Sequence, residues 1–468
     1  MFKLQIKYLS FFFGIVSILS FFNILYSYYF NLYLNLDTYY FTLVASSILF
    51  ITFFKFGKYD IKSNIFQRIL TIFLGYLLIP LVLSIPFYFS IYNLTFSNSF
   101  FEAISGFTST GFTVFENIKL IDQSLIIWRS SSQWIGGLYF LFSIIYLMDI
   151  YDDSFKKTLT NFISFNSSEI LKQAAKIFIL YSSLTILIFM ILNIFSIRTF
   201  DSLNLALTII SSGGFLPVNE LSTIIKENVQ IIIFSLLMLF SFFSLFFSYN
   251  LIFLRKKNVN FFYEDLHLFV YLIIVTTIFF LFFSFNYDFF VNLFAIISSM
   301  TNIGFSLSSG QENLNFIYLI LVIIGGSFFS TSSGLRFIKI YSLFKFSLNQ
   351  ILSFSRPKNV FMNKLIFTKI NFNLNEINKY FLTIIIFILS LFILTSLLSL
   401  SGITFVNSFK LAILTLMNTV NSSIYGLKEF DFYNLQLFSK YCLIFFMIVG
   451  RIELLTILLL IKKFLFKN

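Results

Sequence analysis

The chain has 468 residues, of which 58% are hydrophobic and only 11% charged, and its mean hydropathy is +0.90. That composition belongs to a polytopic membrane protein surrounded by lipid and leaves no room for a sizeable water-soluble domain. One Cys (Cys442) and one His (His267) exclude a disulfide framework and any zinc or Cys/His catalytic cluster, so neither an enzyme nor a resident cofactor is expected. The net charge of +12 fits basic cytoplasmic loops sorted by the positive-inside rule and calls for no nucleic acid.

The first apolar run, 8–30, is too long for a signal-peptide core and lacks a small-x-small cleavage site. It reads as a retained span with its N-terminus inside. A second span, 39–56, leads to Lys55, Lys58, Lys62 and Arg68, opposed only by Asp60, which marks a cytoplasmic loop.

One theme then appears four times: a span, a short apolar segment, a small polar turn and another span. The first unit has spans at 69–92 and 126–147 around Thr110-Gly111-Phe112. The second has spans at 177–195 and 231–254 around Ser212-Gly213-Gly214-Phe215. In the third, a span at 268–285 precedes Asn302-Ile303-Gly304-Phe305 and another begins at Phe316. The fourth has spans at 380–400 and 441–460 around Asn418-Thr419-Val420-Asn421. The apolar segment before each turn, roughly 12 to 15 residues, is too short to cross a bilayer and suits a re-entrant half-helix.

Charge placement tests this topology. Lys156, Lys157, Lys172, Lys176, Arg255 to Lys257, Arg356, Lys358, Lys364, Lys369, Lys462, Lys463 and Lys467 fall between or after the units. All lie inside if each unit enters and leaves from the cytoplasm, which gives about ten spans with both termini cytoplasmic. Glu102, Glu116, Asp122, Asp201, Glu220, Glu227, Asp288, Glu312, Glu429 and Asp431 then gather on the opposite side, where an acidic mouth concentrates cations. The expected fold is an all-α membrane protein: a two-span segment at 1–66, then units at 67–157, 170–257, 262–348 and 376–468 around a central pore.

Four polar turns at membrane depth are either ordinary extracellular loops or a cation filter, because non-helical backbone in a bilayer must be buried or line a water-filled path. Dehydrating an alkali cation takes several oxygens, which rings of carbonyls supply. Glycine lets the backbone visit φ > 0, and each half-helix turns its negative C-terminal end toward the ion. The filter residues, as the family resemblance given below implies them, are Thr110, Gly111, Ser212, Gly213, Gly214, Ile303, Gly304, Val420 and Asn421, with a cation at Thr110, Gly111, Gly214, Gly304 and Asn421. Gly213 competes with Gly214 in the second unit. Gly214 is preferred because it precedes Phe215 as the other glycines precede Phe.

Two features lie beyond the turns. Arg451, within the last span, must face a cavity or a partner; Glu453 or neighbouring carbonyls are one choice, a position beside the pore the other. The segment 325–334 holds three Gly and five Ser/Thr, which suits a break in the helix or a close packing surface of small residues. Arg336 and Lys339 follow and are expected to snorkel at the cytoplasmic end. His267, beside Glu264 and Asp265, reads as a solvated interface residue, and Cys442 as a small packed one.

These residues together resemble the Trk/Ktr/HKT superfamily of potassium transporters over nearly the whole chain. The resemblance includes the Gly-Phe turns and Trp128-Arg129 through Gln133-Trp134-Ile135-Gly136-Gly137. It also includes Gly325-Gly326-Ser327 through Ser330-Thr331-Ser332-Ser333-Gly334, and Gly450-Arg451-Ile452-Glu453; the extra N-terminal pair of spans is similar to the TrkH branch. It implies potassium uptake across the cytoplasmic membrane through a channel-like pore, in which Gly111 favours potassium. It implies a gate of Arg451 with Gly325, Gly326, Ser330, Thr331 and Gly334, the last five in an intramembrane loop below the filter. Arg336 stands where the family pattern has Lys. A homodimer and a separate cytoplasmic nucleotide-binding (RCK-type) regulatory subunit are further implications, since no phosphate-cradling loop occurs in this chain. Asn421 departs from the family's fourth glycine, which leaves weaker potassium-over-sodium selectivity, or an ion-coupled secondary transporter, as the alternative.

Two rivals fit less well. A transporter of inverted repeats predicts halves of opposite topology, whereas the four units share one orientation. A membrane-embedded enzyme lacks the residues from which to build a site.

Overall fold

The structure, a computed structural model, describes residues 7–57, 64–147, 170–252, 263–283, 289–307, 314–354, 374–427 and 430–452. Lys58, Asp60, Lys62, Lys156, Lys157, Arg255 to Lys257, Arg356, Lys358, Lys364, Lys369, Lys462, Lys463 and Lys467 lie outside the described residues, as do Asp288, Glu312, Glu429 and Glu453. All regular elements among the described residues are helical.

The chain opens with α1 (Lys7–Tyr29) and α2 (Leu36–Phe56), packed as an antiparallel pair. The pair docks on the start of a later helix, α6, through Asn23 Nδ2 to Ser124 O (3.0 Å) and Tyr39 OH to Ser124 Oγ (3.1 Å). The first unit comprises α3 (Ile65–Leu83), α4 (Ile85–Tyr88), the half-helix α5 (Phe96–Phe107) and α6 (Gln123–Tyr146). The second has α7 (Ile170–Ile194), the half-helix α8 (Thr199–Ile210), α9 (Asn228–Phe242) and α10 (Leu245–Ile252). The third has α11 (Tyr263–Phe283), the half-helix α12 (Phe289–Met300), α13 (Asn315–Ile324) and α14 (Phe337–Ser353). The fourth has α15 (Leu374–Leu400), the half-helix α16 (Phe405–Leu416) and α17 (Leu437–Ile452).

All four half-helices are 12 residues long, about 18 Å at 1.5 Å per residue, against a hydrocarbon core of about 30 Å. Six helices among the described residues are long and apolar enough to cross a membrane: Lys7–Tyr29, Leu36–Phe56, Ile65–Tyr88, Lys172–Ile194, Tyr263–Phe282 and Glu376–Leu400. Apart from the N-terminal pair, these are the first helices of the four units. The second helices differ for a physical reason. Helix α6 carries the polar run Arg129 to Gln133 and is buried along most of its length, the second unit's helix breaks at Phe243-Ser244, and the third unit's breaks across 325–336. Polar and broken helices belong inside a membrane protein, where protein satisfies the backbone that lipid cannot.

Small residues let these inner elements approach. A side chain at Gly136 in α6 would collide with the carbonyl of Phe107, the last residue of α5, and one at Gly450 in α17 with that of Leu416, the last of α16. Without a hydrophobic force between helices in lipid, such close packing is a main source of cohesion.

Candidate functional site

Each half-helix ends in the same turn. A polar residue takes the left-handed backbone conformation two positions past the helix: Ser109 (φ 58°), Ser212 (φ 55°), Asn302 (φ 60°) and Asn418 (φ 46°). The next amide reaches back to close the helix, Thr110 N to Ser105 O (2.9 Å), Gly213 N to Thr208 O (2.8 Å), Ile303 N to Ser298 O (3.2 Å) and Thr419 N to Leu414 O (2.9 Å). This is the Schellman termination, which usually employs glycine at the left-handed position. Here Ser and Asn occupy it, and their side chains reach the neighbouring turns.

Ser212 Oγ donates to Thr301 O (2.6 Å), Asn302 Nδ2 to Thr419 Oγ1 (3.2 Å), and Asn418 Nδ2 to Thr110 Oγ1 (3.0 Å). The second turn is thereby tied to the third, the third to the fourth and the fourth to the first. The remaining join is made by Arg451, whose Nη2 lies 3.3 Å from Ser109 Oγ and 3.5 Å from Ser211 O. Four turns from distant parts of the chain form one closed ring.

Two positions after each left-handed residue stand Gly111, Gly214, Gly304 and Val420. Gly111 (φ 81°) and Gly304 (φ 79°) take a conformation that strains any L side chain. An added Cβ at Gly111 would sit 2.6 Å from the Gly214 Cα, and one at Gly214 would strike the Val420 Cβ. The four positions therefore meet. The fourth turn differs here from the sequence expectation: Val420, not Asn421, holds the register of the three glycines, and Asn421 falls level with Phe112, Phe215 and Phe305. A hydroxyl tethers the carbonyl at that level in three turns, Ser105 Oγ to Phe112 O (2.6 Å), Thr208 Oγ1 to Phe215 O (3.2 Å) and Ser298 Oγ to Phe305 O (2.9 Å). In the fourth, Leu414 has none to offer, and Asn421 Nδ2 bonds instead to Leu427 O (3.1 Å).

A cavity of about 570 Å³ opens on one side of the ring, lined by Gly111, Gly214, Gly304, Val420 and Asn421 and flanked by Glu116, Glu220 and Asp431. Partial burial works against the Asp431 charge, but hydrogen bonds from the Asn434 side chain and amide and from Tyr433 N hold its carboxyl below the usual range. Glu102 was expected at this mouth and is not part of it. Its side chain is fully buried in an ion pair with Arg129 Nε (2.8 Å). Glu102 also accepts from Val114 N (2.9 Å) and Thr113 Oγ1 (3.0 Å), while Arg129 lies 4.2 Å from the Phe215 ring centroid. The pair braces the first turn against the second from behind. Gln133 Oε1 accepts from Phe215 N (3.2 Å), so α6 supports both turns. Arg129 and Glu102 both stand in strongly apolar stretches, where an ionisable side chain needs a partner.

The segment 325–336 lies on the other side of the ring. Helix α13 stops at Gly325 (φ 68°), and the chain resumes helix only after Arg336 (φ 69°). Thr331 Oγ1 donates to Ile210 O (2.7 Å), Ser332 Oγ to Asn302 Oδ1 (2.8 Å), and Ser333 Oγ lies 3.4 Å from Asn418 Oδ1. Of the residues expected at a gate, Thr331 and Arg451 touch the turns directly. Gly326 abuts the Phe242 carbonyl, Gly325 and Gly334 pack against each other, and Ser330 Oγ bonds within the loop to Ser327 O (2.7 Å). Arg451, 1% exposed, donates to Ser333 Oγ (2.6 Å).

Arg336 and Lys339 do not snorkel; both are buried. Arg336 Nη1 donates to Ser332 O (2.7 Å) and Ser327 O (3.0 Å), closing the loop on itself. Both guanidinium groups lie over one ring, Phe140, at 4.9 Å for Arg336 and 4.1 Å for Arg451. His267 is half-buried rather than solvated, with Nδ1 2.7 Å from Tyr263 O and its ring 4.9 Å from that of Tyr341. Cys442 is partly buried.

No protein-family model matches the chain. It is 24% identical over 424 residues to an uncharacterized cation transporter of Methanocaldococcus jannaschii, covering 84% of this chain and 82% of that protein. It is 23% identical over 423 residues to the Trk system potassium uptake protein TrkH of Escherichia coli, covering 86% of each. Among solved structures it shares the fold of the potassium transporter TrkH from Vibrio parahaemolyticus, with a TM-score of 0.84, 19% identity and full coverage of both chains. The chain resembles the Trk proteins along nearly its full length. The interior of the chain is built around the Gly-Phe turns, the Trp128 to Gly137 face of α6, the loop at 325–336 and Gly450-Arg451.

Proposed function

We propose that the chain conducts potassium across the cytoplasmic membrane, down the electrochemical gradient, through a pore on the axis of the four-turn ring. The carbonyls of Thr110, Gly111, Gly213, Gly214, Ile303, Gly304, Thr419 and Val420 are the filter, and the acidic cavity is its outer vestibule. The loop at 325–336 and Arg451 form the obstruction beneath. The observation that carries the reading is the convergence of Gly111, Gly214, Gly304 and Val420 at the C-terminal ends of four equal half-helices. Partial negative charge from four helix ends favours a cation there, and the stitched turns hold the backbone still enough to replace a hydration shell.

The termini are cytoplasmic on this reading, and each two-helix unit with its half-helix is one quadrant. Likeness to potassium uptake proteins supports the choice of ion and, with it, assembly as a homodimer alongside a separate nucleotide-binding regulatory subunit.

Val420 favours a second reading of the selectivity. Its side chain fills space between Gly214 and Gly304, and a β-branched residue resists the positive φ of Gly111 and Gly304. Gly214 and Val420 both lack that positive φ, but only Val420 also sets a branched side chain among the four turns, and sodium is discriminated less strictly. Purified protein in liposomes with opposed potassium and sodium gradients tests both parts, with wild type beside Val420→Gly. Wild type carries potassium, and the variant gains in potassium-over-sodium preference. If neither ion moves in wild type, nor in a variant lacking Arg451, the pore reading fails.

A further inference from the structure

The two broken helices are joined backbone to backbone. Ser327 N donates to Phe242 O (2.9 Å), Leu245 N to Phe329 O (2.9 Å), and Ser332 N to Ser241 O (3.0 Å). The break between α9 and α10 thus pairs with the loop between α13 and α14, and Phe246 stacks on Phe329 with centroids 5.0 Å apart. Amides freed from two helices at membrane depth need partners, and this pairing satisfies only some of them.

Two consecutive acids at the start of α11 take two more of them. Glu264 Oε1 accepts from Phe328 N (2.7 Å), in the middle of the loop. The Asp265 carboxylate accepts from Ser244 N (2.8 Å) and Ser244 Oγ (2.6 Å), so it holds the residue whose hydroxyl in turn accepts from Phe247 N (3.3 Å) at the start of α10. Asp265 is buried and Glu264 partly so. Arg336 grips the same loop through the carbonyls of Ser327 and Ser332. The bonded oxygens of both acids point into protein. A desolvated carboxylate is tolerated when its oxygens are used by donors, and bonds from backbone amides to a carboxylate are among the stronger ones.

We propose that Glu264 and Asp265 are positioning residues that clamp the 325–336 loop beneath the ring, with Asp265 fixing the α9/α10 break and Glu264 fastening the loop to it. Opening the pore requires the hydrogen bond from Phe328 N to Glu264 to be released. The proposal rests on the reading of this loop as the obstruction in the conduction path.

The test uses the full-length protein in liposomes, on a Cys442→Ala background with Ser330→Cys as a reporter in the loop. Two quantities are read: the rate of thiol modification at position 330 by a water-soluble methanethiosulfonate, and potassium flux. Glu264→Ala is expected to raise both about ten-fold, the equivalent of about 1.4 kcal/mol. Glu264→Gln keeps an acceptor for the Phe328 amide and stays within about two-fold of wild type, because the bond and not the charge is what the clamp needs. Glu264→Ser is too short to reach the amide, carries the same expectation as Ala, and replaces it if the Ala variant does not fold. An unchanged modification rate in folded Glu264→Ala or Glu264→Ser overturns the clamp, as does a Gln variant that behaves like Ala. A raised modification rate with no potassium flux in any variant leaves the clamp standing and refutes the loop's role as the obstruction.

Discussion

On the side that the proposed topology turns outward, the four-turn ring opens into a cavity of about 570 Å³ beside Glu116, Glu220 and Asp431. On its inner side it rests on a packed loop, with the guanidinium groups of Arg336 and Arg451 over the Phe140 ring. The two sides are built from different parts of the four units. The outer side is made of loops that follow the half-helices, and the inner side of the broken or polar stretches of the second helices. On the proposed reading, one side attracts cations into open space and the other sets positive charge and backbone in their way. If the ring is the proposed filter, it conducts only when the inner side yields, and the proposal places selection and gating on opposite faces of the same turns.

The largest effect is expected from removing the brace behind the first two turns. Arg129→Met leaves Glu102 buried without its cation, and breaking a buried pair in this way costs about 3–5 kcal/mol. The expected outcome is a large loss of thermal stability in detergent, measured by the unfolding midpoint; a midpoint within a degree or two of wild type would show that the pair does not hold the first two turns.

Arg451→Ala acts on the inner face. It removes one of the two guanidinium groups and opens the join between Ser109 and Ser211. Potassium leak in liposomes rises about ten-fold, as expected from the loss of about 1.4 kcal/mol of obstruction, and unchanged leak in a folded variant removes Arg451 from the gate. The gentlest change neutralises the outer face: Glu116→Gln, Glu220→Gln and Asp431→Asn together lower flux by about two- to three-fold at low ionic strength. The deficit closes near 1 M salt, where the screening length is about 3 Å; a deficit that ignores salt points to altered structure and not to lost attraction.

The periodic part of this architecture was legible in the sequence. Apolar runs at 8–30 and 39–56 correspond to α1 and α2, and the four short segments before the turns are the four 12-residue half-helices. The breaks were only partly legible. Gly325 to Gly334 announced one through its small polar residues, whereas the break at Phe243-Ser244 carries no glycine or proline and depends on Asp265, 21 residues away.

Register was the other loss. Gly-Phe pairs led the eye in three turns, and without a glycine the fourth was aligned one residue late on Asn421. The polar residues that adopt the left-handed conformation, Ser109, Ser212, Asn302 and Asn418, give the correct alignment. Their importance lies in contacts between distant turns, which no local pattern encodes. Arg336 is buried for the same reason: the carbonyls of Ser327 and Ser332 that enclose it belong to a loop whose path no local pattern encodes.

The central claim is that a cation is held where the four turns meet. Anomalous diffraction from crystals of the full-length protein grown in rubidium measures this directly. The account predicts rubidium peaks along the axis between the backbones of Gly111, Gly214, Gly304 and Val420, continuous with the vestibule. Rubidium bound only elsewhere, with the ring occupied by side chains and no ion, would contradict it.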